Sequence, residues 1–306
     1  MDVVASDEDP LRLQAHPGGG PYNVARTLGR LERPVHYLGC LSSDAFGARL
    51  RDELERDGVS VADAVATDRP TTLALATLDA DGAASYAFYA DGTAAPALTP
   101  TSALGALPAG LAVLHVGTLG LVFEPIAEAL EAVVEAVADD VLVALDPNCR
   151  PSAVENPAAY RARMARIIAR ADLVKVSDED LAFLSPDDTP LDAARAMLAS
   201  GPGAVLITRG GDGTIVVREG NETTVPVRAA AVVDSIGAGD AFGGGLLAWW
   251  HAHGLGAEAL RVGDALLEAT RFASEVAALT VERAGASPPR VSELPSEFHY
   301  EGTPRA

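Results

Sequence analysis

Between residues 111 and 208 the chain alternates short apolar, β-branched runs with stretches of helical period. Strands are predicted over 111–116, 141–146, 173–176 and 204–208, and helices over 125–138, 157–170 and 191–200. Strands joined through helices pair in parallel and bury both faces. The expectation is therefore an α/β body, a mainly parallel sheet with helices on both sides. Ligands of such sheets gather at the carboxyl ends of the strands. Here those ends read Asp146-Pro147-Asn148-Cys149-Arg150, Ser177-Asp178-Glu179-Asp180 and Thr208-Arg209-Gly210-Gly211.

The amino-terminal third departs from this rhythm. Residues 1–4 read as the end of a strand and 5–16 as polar and irregular, before Pro17-Gly18-Gly19-Gly20-Pro21 opens a helical period over 22–31. A strand over 35–41 and a helix over 45–57, stopped by Gly58, follow. Residues 71–78 and 83–90, with a turn at 79–82, have the pattern of a hairpin, in which Tyr86 and Phe88 share one face and Tyr89 takes the other. A hairpin inside a strand-helix series suggests a small sheet standing off the body and covering a pocket. Beyond 208 the chain reads as a hairpin over 213–227, a β-branched run over 225–233, helices over 242–253 and 263–279, and a Pro-rich tail over 287–306.

Composition removes several function classes. A formal charge of −20 offers no basic field for nucleic acid, so no nucleic-acid partner is expected. No apolar run reaches membrane-spanning length and the amino end is acidic, so the reading is a cytoplasmic protein with no membrane partner. The two cysteines, Cys40 and Cys149, lack metal or redox spacing, and the histidines are scattered. Lys175 is the only lysine, which excludes a Walker loop, since that loop needs a lysine after its glycines.

The stretch Asp234-Ser235-Ile236-Gly237-Ala238-Gly239-Asp240-Ala241-Phe242 places two acids and two glycines where an apolar run turns into a helix. Small residues let backbone approach a ligand, and the first N–H groups of a helix lack internal partners, so the junction suits an anion. Asp240 could serve as a base there. The plainer alternative is a tight turn with Asp240 stabilised by the helix dipole. A dinucleotide-binding reading meets Phe242 at the third glycine position of GxGxxG.

With both glycine clusters placed, the chain resembles the ribokinase-like, or PfkB, family of sugar kinases, in its fructokinase and 2-keto-3-deoxygluconate kinase branch. The residues that carry the resemblance are Pro17 to Ala25, Asp146 to Pro151, Lys175 to Leu181, Thr208 to Gly213 and Asp234 to Phe242, in that order. The resemblance implies one ribokinase-like three-layer domain over 1–306, with lid strands inserted at about 5–16 and 69–95. It implies Asp240 as catalytic base and the amides of Gly237, Ala238, Gly239 and Asp240 as an anion cradle. Asp2, Gly18, Gly19, Asn23, Tyr86, Phe88, Asn148 and Arg150 would meet the sugar. Ser177, Asp180, Thr208, Gly210, Gly211 and Gly213 would line the nucleotide side. ATP would come with Mg²⁺ held through phosphates and water, and Asp234 with the Ile236 carbonyl would form a K⁺ site, unless Asp234 is only a turn acid. The partners implied are a small sugar, ATP and a second copy of the chain through the lid.

Two departures stand out. Ser177 and Asp180 replace the Asn and Glu of the family's NxxE pattern, and Asp180 is one methylene short. Relatives also begin with a strand leading to a glycine, an acid and a sugar-contacting aspartate, a pattern this sequence enters only at Met1-Asp2. Most of that strand is thus expected to be missing. Either the start lies upstream, or a sheet position goes unpaired, and a chain extended upstream should be more stable and more active. The leading function is an ATP-dependent kinase of a ketose such as fructose. The alternatives are a 2-keto-3-deoxygluconate kinase, a nucleoside kinase of the same fold and a non-catalytic sugar-binding relative.

Overall fold

A computed structural model of the chain describes residues 1–5, 13–78 and 84–298. The expected turn at 79–82, most of the inserted segment 5–16 and the end of the tail lie outside them. The chain opens on β1 (Asp2–Ala5) and β2 (Leu13–His16), then runs through α1 (Gly20–Arg30), β3 (Cys40–Ser42), α2 (Ala45–Arg56) and β4 (Val65–Thr67). β5 (Leu73–Leu78) and β6 (Ala84–Tyr89) form the expected hairpin, with Leu73 opposite Tyr89. β1 pairs in parallel with β5 and antiparallel with β2, which completes a four-stranded sheet in the order β2-β1-β5-β6. The irregular reading of 5–16 missed β2, whose four residues are all exposed and so carry no alternation from a buried face.

The body follows: α3 (Pro100–Gly105), β7 (Val113–Gly117), α4 (Ile126–Ala136), β8 (Leu142–Asp146), α5 (Pro157–Arg170), β9 (Leu173–Ser177), α6 (Asp178–Leu184), α7 (Pro190–Ser200), β10 (Ala204–Thr208), β11 (Thr214–Arg218), β12 (Asn221–Val225), α8 (Ala238–Ala252) and α9 (Ala265–Val281). β7 to β10 pair in parallel and β11 and β12 add antiparallel strands, giving one sheet in the order β12-β11-β10-β9-β8-β7. Successive residues point to opposite faces. Val143 and Leu145 join Val133 of α4, Met164 of α5 and Ala194 of α7 in one core. Leu142 and Ala144 join Leu246 and Trp250 of α8 and Ala269 of α9 in the other. The three layers expected from the alternation are therefore present.

Two expected strands change character. Of 35–41 only a bridge between His36 and Ser60 and the short β3 form, and β3 pairs with β4 rather than with the main sheet. β7 is left as an edge. Between segment 35–42 and β7 lies a cavity of about 550 Å³, lined also by Asp2, Gly18 to Gly20 and Thr118. The run 225–233 leaves the sheet after Val225, because Pro226 has no N–H to give to a ladder. Its end, at Val233 and Asp234, instead donates to the Val281 carbonyl at the close of α9, at 2.7 and 3.1 Å.

Candidate active site

The start of α8 supplies the anion-binding geometry. Gly237 caps the helix in the left-handed region at φ 76°, and a Cβ there would stand 2.6 Å from that of Ala286. Only glycine fits the turn. Among the described hydrogen bonds the N–H groups of Gly239 and Asp240 have no acceptor, whereas Ala241 N–H already donates to Gly237. Two free donors at the positive end of a fifteen-residue helix can hold an anion. Asp234 shapes the approach: Oδ1 accepts the Ile236 N–H at 2.9 Å and Oδ2 the Gly285 N–H at 2.8 Å. These bonds realise the turn-acid role, and the remaining lone pairs of the carboxylate still suit a cation.

Asp240 lies in the first turn of α8 and is 7 % exposed. Burial pushes its carboxyl up to about 6; the Asn23 hydrogen bond and Lys175 pull it down, while Asp146 pushes it further up. A base poised there suits proton abstraction near neutral pH. Asn23 Nδ2 donates to Asp240 Oδ2 at 2.8 Å across 217 residues of sequence, so the two glycine signatures meet in one place. Gly19, at φ 128°, caps α1, and a Cβ on Gly18 would overlap the carboxylate of Asp2. Asp2 is therefore packed onto the glycine turn, and burial raises its carboxyl above the ordinary range.

The strand ends complete the rim. Arg150 Nη1 donates to Asn148 Oδ1 at 2.6 Å, folding the guanidinium onto its own turn, where Asn148 holds φ 38°. Ser177 and Asp180 cap α6 reciprocally, and Asp180 Oδ1 also accepts the Cys149 N–H. Both oxygens of the shortened acid thus hold the β8 and β9 turns together. Thr208 Oγ1 donates to the Val176 carbonyl at 3.2 Å. Gly210 and Gly211 are open, with no heavy atom near the place of a Cβ, and Gly213, at φ 92°, would meet the Val225 carbonyl at 2.5 Å. From the lid, Phe88 lines the cavity, stacks on Tyr86 at 6.2 Å and meets Phe123 of the body edge-on at 6.4 Å.

Sequence reasoning passed over Lys175 and Asp146 as site residues. Lys175 Nζ donates to Asp146 Oδ2 at 2.9 Å, both groups are buried, and Nζ stands 3.0 Å from the place of a Cβ on Gly239. Burial alone would lower the ammonium, but Asp146, Asp180 and Asp240 around it hold it above its ordinary value. A positive charge therefore sits behind the cradle. The signal was available: one lysine in 306 residues, at a strand end. Thr118, beside Asp240, left no comparable mark.

With both signatures converging on one carboxylate, the comparisons agree. The pfkB family carbohydrate kinase model matches residues 1–293. The chain belongs to this family. As a PfkB kinase it is a phosphotransferase that acts on a sugar hydroxyl, and it is fructokinase-like. It is 35% identical to a fructokinase of Rhizobium leguminosarum bv. trifolii over 231 residues, 76% of this chain and 70% of that one. It is 34% identical to fructokinase-1 of Oryza sativa subsp. japonica over 300 residues, 96% of this chain and 90% of the other. A fructokinase from Xylella fastidiosa solved with bound ATP superposes with a TM-score of 0.84 at 30% identity, covering 95% of this chain and 93% of that one. A fructokinase from Vibrio cholerae O395, bound to fructose, ADP and calcium, gives 0.79 at 26%, covering 93% and 91%.

Proposed function

We propose that this kinase transfers the γ-phosphoryl of ATP to a hydroxyl of fructose. The observation that carries the reading is the Asn23–Asp240 hydrogen bond, which joins the sugar-facing turn of α1 to the phosphate-facing turn of α8. Phosphoryl transfer asks a protein mainly for position and charge. Asp240 Oδ1 is left to take the proton of the attacking hydroxyl while Asn23 fixes Oδ2. The amides of Gly239 and Asp240, with the Lys175 ammonium behind them, stabilise charge on the transferring group. Asp2, Gly18 and Gly19 accept the sugar, Tyr86 and Phe88 close over it, and Asn148 and Arg150 border it. Thr208, Gly210 and Gly211 offer an open ledge for the nucleotide, closed at Gly213, with Ser177 and Asp180 bracing it from behind.

Among the described residues no group of three His, Cys, Asp or Glu could hold a metal. Mg²⁺ would come with ATP, carried by its phosphates and water. A K⁺ ion would take Asp234 and the Ile236 carbonyl, balancing phosphate charge beside the cradle. Leu13 and Tyr89 stand 56 % and 60 % exposed on the lid sheet and suit a dimer formed through it.

A second reading, a 2-keto-3-deoxygluconate kinase, is favoured by the Arg150 guanidinium on the rim, which suits a carboxylate. Measuring kcat/KM for ADP release with fructose, ribose, 2-keto-3-deoxygluconate and adenosine separates the candidates. Fructose should rank first. Preference for the sugar acid would transfer the assignment to the second reading, and no turnover with any would leave a non-catalytic binder.

A further inference from the structure

Thr118, immediately after β7, sits in the left-handed region at φ 57° and is 9 % exposed. A β-branched residue rarely accepts that backbone, and such strain persists only where the surroundings impose it. They do so here. A Cβ on Gly117 would run into the Asp146 carbonyl, so the end of β7 is held close against β8 immediately before Thr118. No hydrogen bond among the described residues engages the Thr118 hydroxyl, so internal bonding does not explain the position.

The location of that hydroxyl supplies an explanation. A Cβ placed on Gly20 would overlap Thr118 Oγ1 and stand 3.4 Å from Asp240 Oδ1, so both oxygens converge on the first turn of α1. Thr118, Asp2 and Gly18 to Gly20 line the same cavity. A donor and acceptor without a protein partner, beside the base and on the wall of the pocket, is placed to meet a hydroxyl of the substrate.

We propose that Thr118 is a sugar-contacting residue, its hydroxyl bonding the acceptor hydroxyl next to the one that Asp240 deprotonates. The strained turn presents that group. This inference rests on the kinase reading above.

The test is steady-state kinetics and thermal melting of Thr118→Val, Thr118→Ser and Thr118→Gly, with fructose and ATP varied separately. Valine keeps the shape and the strain but lacks the hydroxyl. It should raise the KM for fructose about tenfold or more, leave the KM for ATP within twofold and melt with the wild type. Serine should restore most of the sugar affinity. Glycine should melt at or above the wild-type temperature yet bind fructose as poorly as valine, because it relieves strain and removes the contact. A Thr118→Val enzyme with wild-type KM for fructose overturns the proposal while leaving the kinase reading intact. So does equal weakening of ATP and fructose. A wild-type protein that turns over no sugar sinks both.

Discussion

At the residue scale the chemistry turns on Asp240 and on what surrounds it. Its carboxyl, pushed up to about 6 chiefly by burial, must be ionised to act. The turnover rate should therefore rise with pH through about 6 and level off above it. A flat profile from pH 5 to 8 would contradict the assignment. The same shift carries a stability cost, because in the unfolded chain the carboxyl ionises near its ordinary 3.8. Above pH 6 the cost is about 3 kcal/mol at most. It fades as pH falls through 6 towards 3.8. Asp240→Asn should thus melt about 2–6 °C higher than the wild type at pH 8 and show little difference near pH 4. Lys175 gives a second test. Lys175→Met leaves Asp146 buried and uncompensated, which should cost about 3–5 kcal/mol in chemical denaturation, and adding Asp146→Asn should recover most of it. Loss of the ammonium should also move the acid limb of the pH profile upward. The glycines around Asp240 were legible because a backbone that approaches phosphate forbids a side chain. Lys175 stood out only as the single lysine, and its pairing with Asp146, like the place of Thr118, was not legible, since it comes from strand ends that meet only in the folded sheet.

At the element scale, alternation foretold β7 to β10 and, between them, α4, α5 and α7 but not the short α6, because strands buried on both faces carry continuous apolar runs. It overran at 35–41, where only a bridge and the short β3 form outside the main sheet, and at 225–233, where Pro226 has no N–H to give. Met1 lines the cavity between segment 35–42 and the β7 edge, and its α-ammonium donates to the Thr72 carbonyl at 3.1 Å.

At the scale of the whole molecule, the proposed function divides the work between the lid sheet, which would close over sugar, and the three-layer body, which would hold phosphate. The lid was visible as an aromatic hairpin and β1 in the strand reading of 1–4, but β2, with four exposed residues, was not. A dimer through the lid should appear in sedimentation at micromolar concentration, and Tyr89→Asp on the edge strand β6 should shift it towards monomer. A monomer at all concentrations would remove that interface. The central claim is that one buried carboxylate, held by Asn23, serves the transfer from ATP to fructose. Its most direct test is the rate of ADP release by Asp240→Asn beside the wild type, with saturating fructose and ATP. The account predicts a fall of at least about 10²-fold with fructose binding retained, and full activity in the variant would contradict it.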